Sequence, residues 1–194
     1  MGITDERVLD VIARLPRHQF VDSGWRAEAY RNKPLPIGQA QTISQPYIVA
    51  LMTQLLLQGG ERSKVLEVGT GSGYQSAVLA ELVDTVFSVE RIKPLAEQAR
   101  SRLRALGYRN IHCGYADGSA GWAAHAPFDA IIVTAAAAEL PQMLLRQLDR
   151  GGRLVIPVGP PGAQQLRVVD RTPYGMETQD VAAVSFVPLL TGRV

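Results

Sequence analysis

The chain has 194 residues, a hydrophobic fraction of 46%, a charged fraction of 20% and a formal net charge of +2. This length suffices for one domain with its own core, and the near-neutral charge gives no electrostatic argument for nucleic acid or membrane as a partner. The one cysteine, Cys113, excludes an intramolecular disulfide and is typical of a reducing compartment. The sequence starts without a secretory-signal pattern and lacks an apolar run of membrane-spanning length, so we expect a cytoplasmic protein.

The first 60 residues predict two helices that are separated by an irregular segment. Apolar residues recur at helical spacing over residues 8–15, and Pro16 ends that helix. Residues 16–43 contain several prolines and little periodicity, and we call them the cover segment. A second helix is predicted over residues 46–58, and the two glycines that follow it are a common helix end.

From residue 61 onward, strands and helices alternate. The predicted strands are 64–68, 86–89, 110–113, 130–133 and 153–158, and the predicted helices are 74–83, 92–106 and 139–148. This alternation predicts an α/β fold, in which a mostly parallel central sheet has helices on both faces. Strand-like runs at 165–170 and 181–187 predict an antiparallel pair at the C-terminal edge of that sheet.

The most informative stretch is residues 65–73, Val-Leu-Glu-Val-Gly-Thr-Gly-Ser-Gly. A buried strand ends there, a glycine-rich turn follows, and a helix begins at Tyr74, so a ligand can approach the backbone at the helix start. Glu67 would repel a pyrophosphate but attract a cationic ligand. S-adenosylmethionine carries an amino group and a sulfonium centre and no phosphate, so this stretch predicts a methyl donor. We call residues 69–73 the donor loop.

Two later acidic positions extend this prediction to the adenosine part of the donor. Glu90 ends the next strand, about 20 residues after Gly69, where nucleotide-binding folds place the acid that binds the ribose hydroxyls. Asp117 and Gly118 follow the third strand, where the carboxylate could accept the adenine amino group and the glycine could let the chain pass close to the ring. The alternatives are a solvated acid at a strand end and an ordinary Asp-Gly turn.

Other ligand classes lack the residues that they need. No Lys-Ser or Lys-Thr follows the glycines, which excludes a phosphate-binding P-loop, and the glycine spacing argues against a nicotinamide dehydrogenase. The three histidines and Cys113 show no metal-ligand spacing, so no metal is predicted. There is also no Gly-x-Ser-x-Gly motif of a serine hydrolase.

Residues 41–47, Gln-Thr-Ile-Ser-Gln-Pro-Tyr, suggest a second site, which we call the acceptor segment. Ser44 or Gln45 would cap the helix that begins near Pro46, and hydroxyls and amides at a helix start suit an anion. Thr42 and Ser44 could therefore hold a carboxylate substrate. A purely structural N-cap is the alternative, and the local sequence alone favours it.

With these motifs, the chain resembles the protein-L-isoaspartate O-methyltransferase family over nearly its whole length. The glycine loop is common to many methyltransferases, whereas Thr-Ile-Ser-Gln-Pro at 42–46 and Phe-Val-Pro-Leu at 186–189 are more specific. The other matching stretches are 34–38, 65–74, 89–92, 117–118, 126–136, 147–148 and 151–154. The chain departs from the family pattern at Ala40 and Ala116, which are usually glycine, at Tyr47, which is often histidine, and at Ala138, which is often proline.

The resemblance implies a three-layer α/β/α Rossmann-like methyltransferase in one domain, 1–194, with a cover region at 1–60, a donor-binding core at 61–160 and C-terminal strands at 161–194. It implies methyl transfer from S-adenosylmethionine, which becomes S-adenosylhomocysteine, to the α-carboxyl of L-isoaspartyl residues in damaged proteins and peptides. The ester then cyclises without the enzyme to a succinimide. The expected catalytic residues are Ser44, the family's usual active-site serine, and Thr42. The expected donor-binding residues are Glu67, Gly69, Thr70, Gly71, Ser72, Gly73, Glu90, Arg91, Asp117 and Gly118.

Two other functions stay open on the sequence alone. One is a methyltransferase for a nucleic acid or a small metabolite, but residues 134–137 lack the Asn/Asp-Pro-Pro-aromatic signature of many base-modifying enzymes. The near-neutral charge also argues against a polyanionic partner. The other is a non-catalytic interaction module, which would need neither Glu67 nor Glu90. We therefore expect a monomeric enzyme that binds neither nucleic acid nor membrane.

Overall fold

The computed structural model describes residues 2–194. Its α-helices are α1 (Glu6–Arg14), α2 (Pro46–Leu57), α3 (Tyr74–Ala80), α4 (Lys93–Ala105) and α5 (Gln142–Leu145). Its strands are β1 (Leu35–Pro36), β2 (Thr42–Ile43), β3 (Lys64–Val68), β4 (Thr85–Glu90), β5 (Ile111–Tyr115), β6 (Phe128–Val133), β7 (Leu148–Val158), β8 (Gln164–Thr172) and β9 (Gly175–Val184). None of the helices in residues 2–194 is both long enough and apolar enough to cross a membrane.

A seven-stranded sheet with the strand order β5-β4-β3-β6-β7-β8-β9 organises the molecule. The first five strands in this order pair in parallel, and β8 and β9 are antiparallel to their neighbours. The order reverses at β3, where the chain goes first to β4 and β5 and later returns to β6. Ligands of open α/β sheets bind at such a reversal, beyond the carboxyl ends of the strands. The predicted fold class is confirmed.

The two faces of the sheet are covered in different ways. On one face, the alternate side chains Val65, Val86 and Ile132 pack against α1, α2 and α3. On the other face, Leu66 and Ile131 belong to a cluster that includes α5 and short connecting turns. Helix α4 packs against α3 and the cover segment. Because the β3 side chains are buried on both faces, the strand is a nearly continuous apolar run interrupted only by Glu67.

Two predicted elements differ from the structure. The helix predicted over 139–148 is reduced to α5, because Pro141 occupies its N-cap and the residue before a proline is disfavoured in a helix. Leu148 instead begins β7 opposite Phe128, and a register shift between Phe128 and Ala130 accommodates the extra residues. The last strand begins earlier than predicted, since the polar residues from Gly175 onward pair with β8 at the open edge.

The cover segment is more ordered than the sequence indicates. It contains two 3₁₀ turns, Arg17–Phe20 and Ser23–Glu28, and a small antiparallel hairpin formed by β1 and β2. The turn of this hairpin holds three consecutive residues at positive φ: Gly38 at 82°, Gln39 at 53° and Ala40 at 54°. This hairpin presents the acceptor segment to the carboxyl ends of the central strands.

Candidate active site

One cavity lies beyond the carboxyl ends of β3 and β4, and both sites expected from the sequence line it. The space it encloses, including the open mouth, is about 980 Å³. The lining residues come from four stretches, 41–44, 68–72, 89–92 and 187–190, together with Ile37, Val49, Met52, Tyr74, Gln75, Gly118, Thr134 and Ala135.

The donor loop requires glycine at positions where the chain turns tightly. Gly69 has φ of +96°, and a Cβ atom there would lie 2.4 Å from Thr134 Oγ1. Gly73 has φ of +88° at the start of α3, and a Cβ atom would come within 3.2 Å of Leu103 on α4. These residues therefore allow a left-handed backbone and close packing at the same time.

Most of the amides in the donor loop are already bonded within the protein. Gly69 N–H donates to the Val89 carbonyl oxygen at 2.9 Å, Gly71 N–H donates to Glu90 Oε2 at 2.9 Å, and Gly73 N–H donates to the Thr70 carbonyl oxygen at 2.8 Å. A phosphate-binding loop needs such amides to point at its ligand. The loop therefore suits a donor without a phosphate.

Glu67 lies behind the donor loop and does not line the cavity. It is completely buried. Its Oε2 accepts hydrogen bonds from the hydroxyls of Ser76 and of Ser88, the latter at 2.5 Å, and its Oε1 has no partner in residues 2–194. Burial raises the pKa of Glu67 to about 8, although the two hydroxyls oppose this shift. Thr70 Oγ1 lies 2.6 Å from Ser88 Oγ and connects this buried network to the loop, so any effect of Glu67 on a donor passes through the loop.

Glu90 and Arg91 both line the cavity. The Glu90 carboxylate accepts hydrogen bonds from the amides of Gly71 and Ile92, each at 2.9 Å. Because a carboxylate has about four acceptor positions, Glu90 retains capacity for a ribose diol. The Arg91 guanidinium donates from Nε to the Gly192 carbonyl oxygen at 2.9 Å, so it is turned toward the end of the chain.

Asp117 and Gly118, although adjacent in sequence, have different positions relative to the cavity. Gly118 lines the cavity, and a Cβ atom there would lie 2.4 Å from Val68 Cγ1, so the backbone runs directly against the end of β3. The Asp117 side chain does not line the cavity. Its carboxylate accepts hydrogen bonds from Ser119 N–H at 2.9 Å and from Gly192 N–H at 2.7 Å. The adenine contact expected of Asp117 stays a prediction.

Thr42 and Ser44 line the same cavity as Glu90 and Gly118, and we call the part of the wall that they form the acceptor side. Neither hydroxyl bonds to another residue within the described chain, so both are available to a ligand. The N-cap of α2 is Gln45, and its side chain makes no capping bond. The first amides of α2 are already used, since Tyr47 N–H donates to Asn32 Oδ1 at 3.0 Å and Val49 N–H to the Gln45 carbonyl oxygen at 3.2 Å. An anion at this position would therefore meet hydroxyls rather than helix amides.

The end of the chain forms one wall of the cavity, a role that the sequence did not predict. Residues 187–194, the C-terminal segment, leave the sheet after β9 and cross the ends of β4 and β5. Val194 N–H donates to the Arg91 carbonyl oxygen at 2.9 Å, and Lys93 N–H donates to the Val194 carbonyl oxygen at 2.8 Å. In the sequence, only Phe-Val-Pro-Leu at 186–189 pointed to this part of the chain. That stretch supported the family resemblance but suggested no chemical role.

The residues that line the cavity are chemically compatible with S-adenosylmethionine. Gly118 lines it without a side chain and in close contact with Val68, Glu90 offers acceptors, and apolar side chains such as Ile37 and Leu189 contribute to the wall. Within residues 2–194, no group of three or more His, Cys, Asp or Glu side chains is arranged to hold a metal ion.

Comparison with known proteins agrees with this geometry. The family model for protein-L-isoaspartate(D-aspartate) O-methyltransferase matches residues 1–194. The protein-L-isoaspartate O-methyltransferase of Halorhodospira halophila is 56% identical over 193 residues, covering 100% of this chain and 88% of that protein. The enzyme of the same name from Pseudomonas aeruginosa is 55% identical over 193 residues, covering 100% of this chain and 92% of the relative.

Solved structures give the same result for the fold. A Plasmodium falciparum protein-L-isoaspartate O-methyltransferase, crystallised with S-adenosyl-L-homocysteine, superposes with a TM-score of 0.85 at 25% identity. The match covers 97% of this chain and 92% of that one. The chain therefore belongs to the protein-L-isoaspartate (D-aspartate) O-methyltransferase family and is an S-adenosylmethionine-dependent methyltransferase.

Proposed function

We propose that this cavity is where the chain methylates the α-carboxyl of L-isoaspartyl residues in damaged proteins and peptides. The observation that carries the proposal is that one cavity is lined both by the donor loop and by the acceptor segment. Its lining is mainly apolar, and its two sets of polar groups differ in kind. Carboxylates lie at or behind the donor side, and free hydroxyls lie on the acceptor side.

On the donor side, Glu90 binds the ribose hydroxyls, and the backbone of Gly118 lies against the adenine ring. Gly69, Thr70, Gly71, Ser72 and Gly73 shape the loop, while Arg91 positions the C-terminal segment and Asp117 supports the adenine end. Glu67 supports the loop from behind through its hydrogen bond with Ser88, which in turn contacts Thr70. When bound, S-adenosylmethionine supplies an electrophilic methyl group, and its sulfonium charge suits this acidic side of the site.

On the acceptor side, Ser44 and Thr42 donate hydrogen bonds to the substrate carboxylate and orient one of its oxygens for in-line attack. A carboxylate with a reference pKa of about 3.9 is already ionised at neutral pH. The reaction therefore needs no strong general base. The protein instead desolvates the substrate carboxylate and orients it toward the methyl group. Hydroxyl groups can do this, and no histidine is needed at this position.

Methyl transfer from labelled S-adenosylmethionine to a synthetic isoaspartyl peptide and to its normal aspartyl twin tests the proposal. We expect label in the isoaspartyl peptide only, as a base-labile ester. Equal labelling of both peptides would contradict the repair assignment, even if donor binding by calorimetry is normal.

The proposal extends to the setting of the reaction. We expect one domain over residues 1–194 to act as a cytoplasmic monomer, with damaged proteins as its only macromolecular partners. The net charge of +2 supports the absence of a nucleic-acid partner. Light scattering with and without an isoaspartyl peptide tests the monomer, and a mass near twice 21.0 kDa would contradict it.

A further inference from the structure

Arg17 is the largest fully buried side chain of the protein and lies just behind the acceptor side of the cavity. Only 1% of its surface is exposed. Its Nε donates to the Ala29 carbonyl oxygen at 2.7 Å, and its Nη2 donates to the Ser44 carbonyl oxygen at 2.7 Å. The guanidinium carbon lies 4.8 Å from the centroid of the Tyr74 ring. Ser44 and Tyr74 both line the cavity, so one cation contacts the acceptor segment and the residue that follows the donor loop.

This cation has no counter-ion in the described part of the chain. Arg17 forms no ion pair there, in contrast to the other arginines that pair with Asp or Glu. Its Nη1 and the Tyr74 hydroxyl are buried and make no well-formed hydrogen bond in residues 2–194, although the two side chains interact with each other. Burial lowers the pKa of Arg17, but an arginine stays protonated at neutral pH.

An unpaired buried charge is costly, and proteins normally neutralise it. If Arg17 only filled space, an apolar side chain of similar volume would stabilise the fold better. The two unsatisfied polar groups are adjacent, and they flank residues that touch the cavity. An anionic ligand in the cavity beside Ser44 and Tyr74 would supply the missing negative charge. The acceptor of the proposed reaction is such an anion.

We infer that Arg17 is a positioning residue that makes the acceptor side of the cavity selective for a carboxylate. It fixes Ser44 through the Ser44 carbonyl oxygen, and its charge acts across Ser44 and Tyr74 on the bound substrate. Glu90 lines the donor side, so the two sides of the cavity differ in charge. This inference rests on the proposed function, since it assigns the acceptor carboxylate to this side.

The test compares two ligands that differ only in charge. An isoaspartyl peptide with a free α-carboxyl and its α-carboxamide twin are titrated by calorimetry into the protein saturated with S-adenosylhomocysteine, so that no turnover occurs. In the unaltered protein, we expect the carboxylate peptide to bind on the order of ten-fold more tightly than the carboxamide, as for one charge at close range in a partly screened site. In Arg17→Met we expect this ratio to fall several-fold, which leaves the preference that the Ser44 and Thr42 hydroxyls provide.

Three variants separate charge from structure. Arg17→Lys keeps the charge and should retain most of the ratio. Arg62→Met is the matched control, because Arg62 is a half-buried arginine that donates to backbone carbonyl oxygens at the far end of the strands. It should leave the ratio unchanged. Arg17→Gln serves as the neutral variant if Arg17→Met does not fold.

The possible results decide between the explanations. A carboxylate preference of undiminished size in the neutral Arg17 variants would overturn the inference, and so would equal losses for both peptides, which indicate a purely structural role. A parallel loss of S-adenosylhomocysteine affinity would also overturn it, because the charge would then serve the donor carboxylate. If the unaltered protein labels isoaspartyl and aspartyl peptides equally, the proposed function itself fails, whatever the Arg17 variants show.

Discussion

Glu67 is a buried carboxylate that lies close to the donor loop but does not line the cavity. It sits on β3, between apolar neighbours, and its only partners in the described structure are the hydroxyls of Ser76 and Ser88. Desolvation disfavours its charged form, which is why the pKa of Glu67 rises to about 8. In the absence of a cationic ligand, this side chain is largely protonated at neutral pH.

Stability should therefore depend on pH through Glu67. Because its pKa is about 4.5 when unfolded and about 8 when folded, the unfolded chain loses this proton first as the pH rises. Between these two values the folded state binds more protons, so the free energy of unfolding falls with pH and levels out above the folded pKa. Each pKa unit is worth about 1.4 kcal/mol.

The Glu67→Gln variant should lack this pH dependence. As the pH rises from 5 to 8, the free energy of unfolding of the unaltered protein should therefore fall relative to that of the variant. Urea unfolding at several pH values measures the difference. Glu97→Gln, on the exposed face of α4, is the control and should follow the unaltered protein. Parallel curves for Glu67→Gln and the unaltered protein would show that Glu67 is already ionised in the folded state.

Ser44 is expected to act on the acceptor only. Ser44→Ala removes a donor to a charged group, which is typically worth about 1.5–3 kcal/mol, so kcat/KM for an isoaspartyl peptide should fall by roughly ten- to a hundred-fold. Donor affinity by calorimetry should change little. Ser63→Ala, at the opposite end of β3, is the control. Equal losses of donor affinity and turnover would place Ser44 in the donor site instead.

The site residues differ in how far their positions could be predicted. Glycine positions, Glu90 and Gly118 follow from strand order and spacing, since neighbouring parallel strands end at the same edge. The orientation of Glu67 and Asp117 could not be predicted, because each depends on partners far away in sequence, such as Ser88 and Gly192. The burial of Arg17 was likewise invisible, since an arginine near a proline in an irregular segment is normally exposed.

Among the elements, the β1–β2 hairpin contains two residues with strained backbone conformations. Gln39 and Ala40 both adopt left-handed conformations, which cost about 1–2 kcal/mol for a residue with a Cβ atom. The expectation from the sequence was that alanine resists positive φ, and here the hairpin nevertheless holds it there.

Ala40→Gly should stabilise the protein, by roughly 0.5–1 kcal/mol, because the relieved strain exceeds the added entropy of the unfolded chain. Thermal unfolding of the variant measures this gain. The matched control is Ala105→Gly at the exposed end of α4, which should destabilise by about 1 kcal/mol. If both substitutions destabilise by similar amounts, Ala40 is not strained in solution.

The predicted elements were most accurate where periodicity and burial agree. Strands β3, β4 and β6 and helices α2 and α4 have apolar patterns set by the core, and their predicted ranges match to within a few residues. The start of β9 was missed because residues 175–180 are exposed and polar, and their pairing with β8 leaves no apolar alternation. Such charged edge strands protect a sheet from pairing with another chain, and they carry little signal for prediction.

At the scale of the whole molecule, the cavity is assembled from parts that lie far apart in the sequence. The acceptor segment comes from the first quarter of the chain, the donor loop follows β3, and the C-terminal segment closes the wall. Asp117 and Arg91 fasten that segment through Gly192. Folding of the whole chain is therefore required before the donor cavity has all its walls.

Removing the hydrogen bond between Gly192 and Asp117 should both increase the mobility of the C-terminal segment and weaken donor binding. In Asp117→Ala we expect faster amide hydrogen exchange at Gly192 and Val194 and a lower affinity for S-adenosylhomocysteine. Ser119→Ala is the control, because it removes a 2.6 Å hydrogen bond to Asp117 without touching Gly192. Reduced affinity with unchanged exchange would mean that Asp117 contacts the donor directly.

The buried guanidinium of Arg17 has a consequence for turnover. Methylation converts a negatively charged carboxylate into a neutral ester, so the reaction itself abolishes the attraction that we assign to this cation. The substrate is held and the product is not, although they differ by one methyl group. Release of the methylated chain would then need no separate opening motion, because the chemical step itself supplies the drop in affinity.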